Sequence, residues 1–287
     1  MKQKKAIVTL LIGQHYQQRW KTICAKNWQQ YADKHDYDLV CIDKPLDTSA
    51  MAHSRSPAWQ KCLILGDERV KGYDKVVWID SDILINPNSP CIVSNVTEDK
   101  VGAVSAFAQF AEPLPGKDQM LIDRIIEFWN WPYRNAKEFY SGALLPDSFD
   151  QVVQTGVMVL SPHIHNSILE YTYHHYDETP LNNFEMDALS YELLKANCIH
   201  WLDDKFNKIW LACMAMDYPL LLPPKKTEIK PIRFWKRLTR GHYQLPPKKV
   251  TTPALNIAFL NNYFLHFAGT SQYMPWVNTN ITSWNDI

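Results

Sequence analysis

Residues 4–42 read KKAIVTLLIGQHYQQRWKTICAKNWQQYADKHDYDLVCI. The stretch 5–12 is a continuous apolar run that ends at Gly13, and it predicts a buried strand. Trp20, Ile23, Cys24, Trp28 and Tyr31 then recur at helical spacing, which predicts one amphipathic helix over 16–35. A second strand, 37–42, follows at once. Strand, helix and strand in such quick succession form a βαβ unit, whose two strands lie parallel.

The alternation continues down the chain. Ser56-Pro57 opens a helix with Ser as its N-cap and Pro in its first turn; Trp59, Cys62, Leu63 and Leu65 carry it to about residue 70. Strands are expected over 75–80, 101–108, 152–160 (closed by Pro162), 198–202 and 259–267, and helices over 120–129 and 187–196. The fold class that results is α/β, with a mostly parallel central sheet and helices on both faces. In such sheets ligands sit at the carboxyl ends of the strands. Residues 219–253 are dense in proline and predict a long insertion or lid within a single domain spanning 1–287.

Thirty Lys plus Arg stand against 30 Asp plus Glu, which excludes a wholly basic nucleic-acid binder. Only 9 glycines occur in 287 residues, and neither common glycine-rich nucleotide fingerprint is present. The 11 Trp, 14 Tyr and 11 Phe suit a large aromatic core or stacking on flat ligands such as sugars. Trp59, Trp78, Trp131, Trp201 and Trp210 are candidates for stacking, although apolar neighbours favour core packing for each. The six cysteines form no CxxC pair, so reduced core thiols are expected rather than a zinc or disulfide framework. The apolar run after MKQKK is too short for a signal h-region, and no 18-residue apolar run exists, so the expected compartment is the cytoplasm.

The sharpest chemical feature is VVWIDSDILINP, residues 76–87. Asp80 and Asp82 flank one residue where a buried strand emerges. Alternate residues of an extended segment face the same way, so both carboxylates converge on one point. Two anions so close repel unless a cation lies between them, and hard oxygen ligands suit Mn²⁺ or Mg²⁺. Far downstream, FLHFAGT places His266 at a strand end, where it completes a mixed N/O metal set, although a lone histidine is more often a satisfied core residue.

Taken in order, the segments IVTLLIG, SPAWQKCLIL, KVVWIDSD, QTGVMVLS, NNFEMDALSYELL, HWLDDKFN and LHFAGT resemble the GT-A superfamily of nucleotide-sugar glycosyltransferases. The pattern is similar to the retaining galactosyl/xylosyl/mannosyl family 34 and, more loosely, to family 8. The family 8 pattern ends in Lys-Pro-Trp, whereas here Met274-Pro275-Trp276 lacks the lysine. The resemblance implies that Asp80, Asp82 and His266 hold Mn²⁺ (or Mg²⁺) and, through it, the diphosphate of a nucleotide-sugar donor. It implies that Thr9, Gly13, Lys61, Ser81, Thr155, Gly156 and Gly269 line that donor. It places Gln154, Glu185 and Asp187 at the catalytic end, against the donor sugar. Other readings of these positions are a solvated lysine at 61, a strand bulge at Gly156 and helix-dipole complementation at Asp187. Asp203-Asp204 is a lower-ranked acidic pair over the acceptor.

The implied function is metal-dependent transfer of a hexose or pentose from a nucleotide-sugar, a UDP-sugar foremost, to a glycan, glycolipid or lipid-linked acceptor, with retention. The alternatives are a nucleotide-sugar pyrophosphorylase or nucleotidyltransferase, disfavoured by a first loop poor in Gly, Lys and Arg, and a catalytically silent carbohydrate-binding protein. The balanced charge also hides a split: 225–249 holds nine basic residues against Glu228 alone, interleaved with Phe234, Trp235 and Tyr243. That pattern suits peripheral contact with an anionic inner-membrane face, or a solvated loop. No nucleic-acid partner is expected.

Overall fold

The computed structural model describes residues 3–107, 135–179, 184–222 and 246–287. In chain order the strands are β1 (Lys5–Leu10), β2 (Asp38–Ile42), β3 (Lys75–Ile79), β4 (Ile83–Ile85), β5 (Val101–Ser105), β6 (Val153–Leu160), β7 (Ile199–Trp201), β8 (Lys208–Ile209) and β9 (Phe264–His266). Six form the central sheet in the order β2-β1-β3-β6-β5-β7, and three form a small sheet in the order β4-β9-β8. Within the central sheet every strand runs in one direction except β6, which is antiparallel to both its neighbours, β3 and β5.

The strand period of two divides the core into two layers. Ala6, Val8, Val76 and Trp78 pack with Trp59, Leu169 and Leu189 on one face. Ile7, Val77 and Ile79 pack with Trp28, Tyr31, Leu255 and Phe259 on the other. Burial on both faces explains why β3 and β6 are unbroken apolar runs rather than alternating ones.

The helices are α1 (Gln14–Ile23), α2 (Ala25–His35), α3 (Ala50–His53), α4 (Ala136–Gly142), α5 (Pro162–His175), α6 (Met186–Lys195), α7 (Trp210–Met216) and α8 (Lys248–Asn261). The single helix expected over 16–35 is two, divided at Cys24; hydrogen bonds to Trp20 O and from Trp28 N pass through the break. The element after Ser56 is a 3₁₀ helix, Pro57–Gly66, rather than an α-helix. Its residues Trp59, Gln60, Lys61, Cys62, Ile64 and Leu65 are buried, and only its ends, Pro57 and Gly66, are exposed. Pro162, expected only to end β6, also occupies the first turn of α5, where its missing N–H costs nothing.

The expected final strand over 259–267 is shorter than its apolar run. Its first part belongs to α8, which also takes the last residues of the expected insertion and contains Pro253. Asn86, just past β4, ends α8: its Nδ2 donates to the carbonyls of Phe259, Leu260 and Asn262 at 2.9, 3.1 and 3.1 Å. The helix expected over 120–129, Trp131 and residues 223–245 lie outside the described residues. All six cysteines are free. Among the described residues no helix is long and apolar enough to cross a membrane.

Candidate functional site

Asp80, Ser81 and Asp82 form the connection between β3 of the central sheet and β4 of the small one. Backbone bonds hold it on both sides. Asp80 N donates to Gly156 O at 2.8 Å, and Phe267 N donates to Asp82 O at 2.9 Å. Ile83 is in register with His266 across the antiparallel β4–β9 pair, which carries the imidazole to the carboxylates. Nε2 of His266 lies 3.3 Å from Asp82 Oδ1 and 3.9 Å from Asp80 Oδ2. One ligand atom from each of the three residues falls within 4.8 Å of the others. Two hard carboxylates and one imidazole are a donor set that fits Mn²⁺ or Mg²⁺.

The charged groups of the cluster shift one another. Burial pushes the Asp80 carboxyl up, reinforced by Asp82 and Glu185, and the charges of Lys61 and His266 offset this only in part. Burial also opposes ionisation of Asp82, but the charge and hydrogen bond of His266, with Arg19 behind them, hold its carboxyl below the usual range. Burial disfavours the His266 imidazolium, yet Asp82 and Asp80 outweigh it and raise its pKa.

Lys61 is buried rather than solvated. Its Nζ donates to Glu185 Oε1 at 2.6 Å and lies 3.2 Å from Asp80 Oδ1. Desolvation opposes its charge, but the two carboxylates more than compensate and keep the ammonium protonated. Asp80 Oδ1 also accepts from Trp78 Nε1 at 2.9 Å, and Glu185 Oε1 accepts from Thr155 Oγ1 at 2.9 Å. Lys61, Asp80, Thr155 and Glu185 therefore form one polar network, buried except at Asp80, whose side chain is 27% exposed. Asp187 stands outside it. Its carboxylate accepts from Thr179 Oγ1 and from Ala188 N in the first turn of α6, and burial raises its pKa to about 6.

Gly156 meets its reading as a strand irregularity, and it also lies against the histidine. The β5–β6 ladder shifts register between Ala103 and Val104, which pair with Met158 and Gln154. In that irregular stretch Gly156 packs against His266, and a Cβ there would stand 2.6 Å from the ring's Cε1. Gln154, expected against the sugar, has its Oε1 engaged by Gly156 N at 2.6 Å and Asn207 Nδ2 at 3.0 Å. Asn207 Oδ1 in turn lies 2.9 Å from His266 Nδ1. Asn207 closes the segment HWLDDKFN, but the sequence reading gave it no role.

The remaining candidates are positioned by backbone. Thr9 is buried on β1, and its Oγ1 has no hydrogen-bond partner among the described residues. Gly13 (φ 100) precedes α1, and Gly269 (φ 64) lies in the turn after β9; both conformations favour glycine. Ser81 O accepts a weak bond from Cys24 Sγ at 3.6 Å. Arg19, also passed over, donates from Nη1 to Ser271 Oγ at 2.9 Å beside the Gly269 turn. Asp203 and Asp204 serve local structure: one bonds Lys205 N and the other pairs with Lys208. Trp59, Trp78 and Trp210 are core residues, whereas Trp201 is 41% exposed.

No family model matches the chain, and no curated protein matches it. Solved structures are similar over most of its length. A glycosyltransferase involved in glycosylation of the major capsid of PBCV-1 is 14% identical, with a TM-score of 0.48; the match covers 94% of this chain and 98% of that one. The WbbM bifunctional glycosyltransferase is 12% identical, with a TM-score of 0.49, over 94% of this chain but 46% of that one. The galactosyltransferase LgtC with donor and acceptor sugar analogues is 11% identical, with a TM-score of 0.43, over 92% and 87% of the two chains.

Proposed function

We propose that this chain is a single-domain, metal-dependent glycosyltransferase of the GT-A type. It transfers a hexose or pentose from a nucleotide-sugar, a UDP-sugar foremost, to a glycan or lipid-linked acceptor, with retention. The observation that carries this reading is the convergence of Asp80, Asp82 and His266 beside the buried Lys61–Glu185 pair. Both lie at the carboxyl end of β3, an interior strand of the central sheet.

Asp80, Asp82 and His266 hold the divalent ion. When bound, Mn²⁺ or Mg²⁺ supplies charge neutralisation of the diphosphate leaving group. Lys61 stands behind Asp80 as a permanent positive charge. Glu185 is committed to Lys61 and Thr155, so it serves as a fixed hydrogen-bond acceptor for the donor sugar rather than as a free nucleophile. Thr9, Gly13, Ser81 and Gly269 lie against the nucleotide. In the transfer, the bond from the anomeric carbon to the diphosphate oxygen breaks. The acceptor oxygen takes its place on the same face, and the acceptor's proton leaves with the diphosphate.

Calorimetric titration with UDP, UDP-hexoses and GDP-mannose, with and without Mn²⁺, tests this. Metal-dependent binding is expected, with slow release of the free nucleotide in the absence of acceptor. No metal-dependent binding of any of them overturns the proposal. Asp82→Ala is expected to abolish turnover and leave the fold intact. The same reading makes 225–249, with its nine bases, a contact for an anionic membrane face, each base near the surface contributing about 1 kcal/mol. Equal sedimentation with anionic vesicles after deletion of 225–249 would count against that contact.

A further inference from the structure

The orientation of two side-chain amides, and with it the proton position on His266, follows from one backbone group. A peptide N–H can only donate. Gly156 N lies 2.6 Å from the Gln154 side-chain atom that faces it, so that atom must be the amide oxygen. The Asn207 atom 3.0 Å from that oxygen must then be its NH₂ group, the donor. Asn207 is thereby oriented with its oxygen toward the histidine, 2.9 Å from Nδ1. An oxygen there only accepts, so Nδ1 of His266 must carry a proton. The neutral ring is left with its lone pair on Nε2, the nitrogen that faces Asp80 and Asp82. Every member of the relay is buried: Gln154 is 7%, Asn207 0% and His266 3% exposed. Water therefore has little access to satisfy a reversed amide, and reversing either one would set two donors or two acceptors face to face.

We infer that Gln154 and Asn207 are positioning residues of the metal site, and that the chain Gly156 N–H, Gln154, Asn207, His266 locks the histidine into its Nδ1–H tautomer with Nε2 ready to ligate. This gives Gln154 a role behind the imidazole instead of against the sugar. The irregular stretch of β6 holds a glycine because only the absence of a Cβ leaves room for the ring that ends the relay; its N–H starts the relay, as that of any residue but proline would. The inference rests on the metal-site reading for its consequence but not for the tautomer, which belongs to the protein alone.

Two measurements separate these. Long-range ¹H–¹⁵N correlation spectra of the metal-free wild type at alkaline pH report the tautomer directly, with the His266 signals identified by their absence in His266→Gln. The Nδ1–H form is expected, and the Nε2–H form overturns the proposal. Mn²⁺ affinity, read by electron paramagnetic resonance of the free ion, then tests the consequence. Asn207→Leu and Gln154→Leu should each weaken binding by about 10- to 100-fold, the usual effect of removing such a partner. Asn207→Asp keeps the acceptor at Nδ1 but sets a carboxylate oxygen against Gln154 Oε1, so it should retain more affinity than Asn207→Leu without reaching that of the wild type. Wild-type affinity in Asn207→Leu overturns the positioning role, whereas a wild type that binds no Mn²⁺ overturns the metal site and leaves the tautomer assignment standing on the spectra.

Discussion

Gly156 and His266 are in contact with no room for a side chain between them: a Cβ on Gly156 would stand 2.6 Å from Cε1 and 2.9 Å from Nδ1 of the ring. Neither side can yield easily, because one is sheet backbone and the other is a buried ring on β9. Gly156→Ala is expected to displace the imidazole. Mn²⁺ affinity should fall at least about tenfold, and stability by about 1–3 kcal/mol, as for other overpacked cores. Calorimetry and chemical unfolding check the two effects, and a variant unchanged in both would show that the ring moves freely.

Lys61 is the counter-charge for two carboxylates. Lys61→Met should therefore cost about 3–5 kcal/mol, the usual penalty for stranding buried charge. Part of that loss should return on saturation with Mn²⁺, because Asp80 regains a cation. Urea unfolding with and without metal measures both quantities. A cost below about 1 kcal/mol would mean that the pair is solvated in solution.

Asp187 provides a pH signature. Its carboxyl is raised from 3.8 to about 6 by burial, so the folded state binds the proton more tightly than the unfolded chain. Its contribution is fully present below about pH 4 and is lost as pH rises through about 6. Asp187→Asn removes this dependence. Relative to wild type, the variant should gain on the order of 3 kcal/mol between pH 4 and pH 7. Parallel stability profiles for the two proteins would refute the assignment.

Metal binding should itself depend on pH. Burial alone would lower the His266 pKa, but Asp82 and Asp80 raise it, so a proton competes with the ion for Nε2. Apparent Mn²⁺ affinity should fall by about tenfold per unit as pH drops below that raised pKa. A flat profile across that range would exclude His266 as a ligand.

Much of the fold is written locally. The strands β1, β3 and β6 are buried on both faces, so they show as apolar runs, and the acid pair shows because one of those runs stops at Asp80. Where an apolar run served two elements, the reading failed: residues 259–267 contain the end of a helix and a strand, and the end of the helix is held by Asn86, far away in sequence. The pairing of Lys61 with Glu185 spans 124 positions and leaves no local pattern. Asn207 and Gln154 are uncharged amides, whose meaning lies in which atoms face them. Lys61 could equally be read as solvated until the packing around it was known.

His266 stands in register with Ile83, directly after the acid pair, so the cluster joins an early part of the chain to one near its end. A bound ion would act as a reversible cross-link across most of the polypeptide. The small sheet β4-β9-β8 would then be unable to peel from the central one without first releasing it. Ion loss and detachment of the C-terminal part become a single event, so unfolding of the metal-loaded protein should be slower than that of the metal-free form. A chelator added during unfolding should abolish the difference.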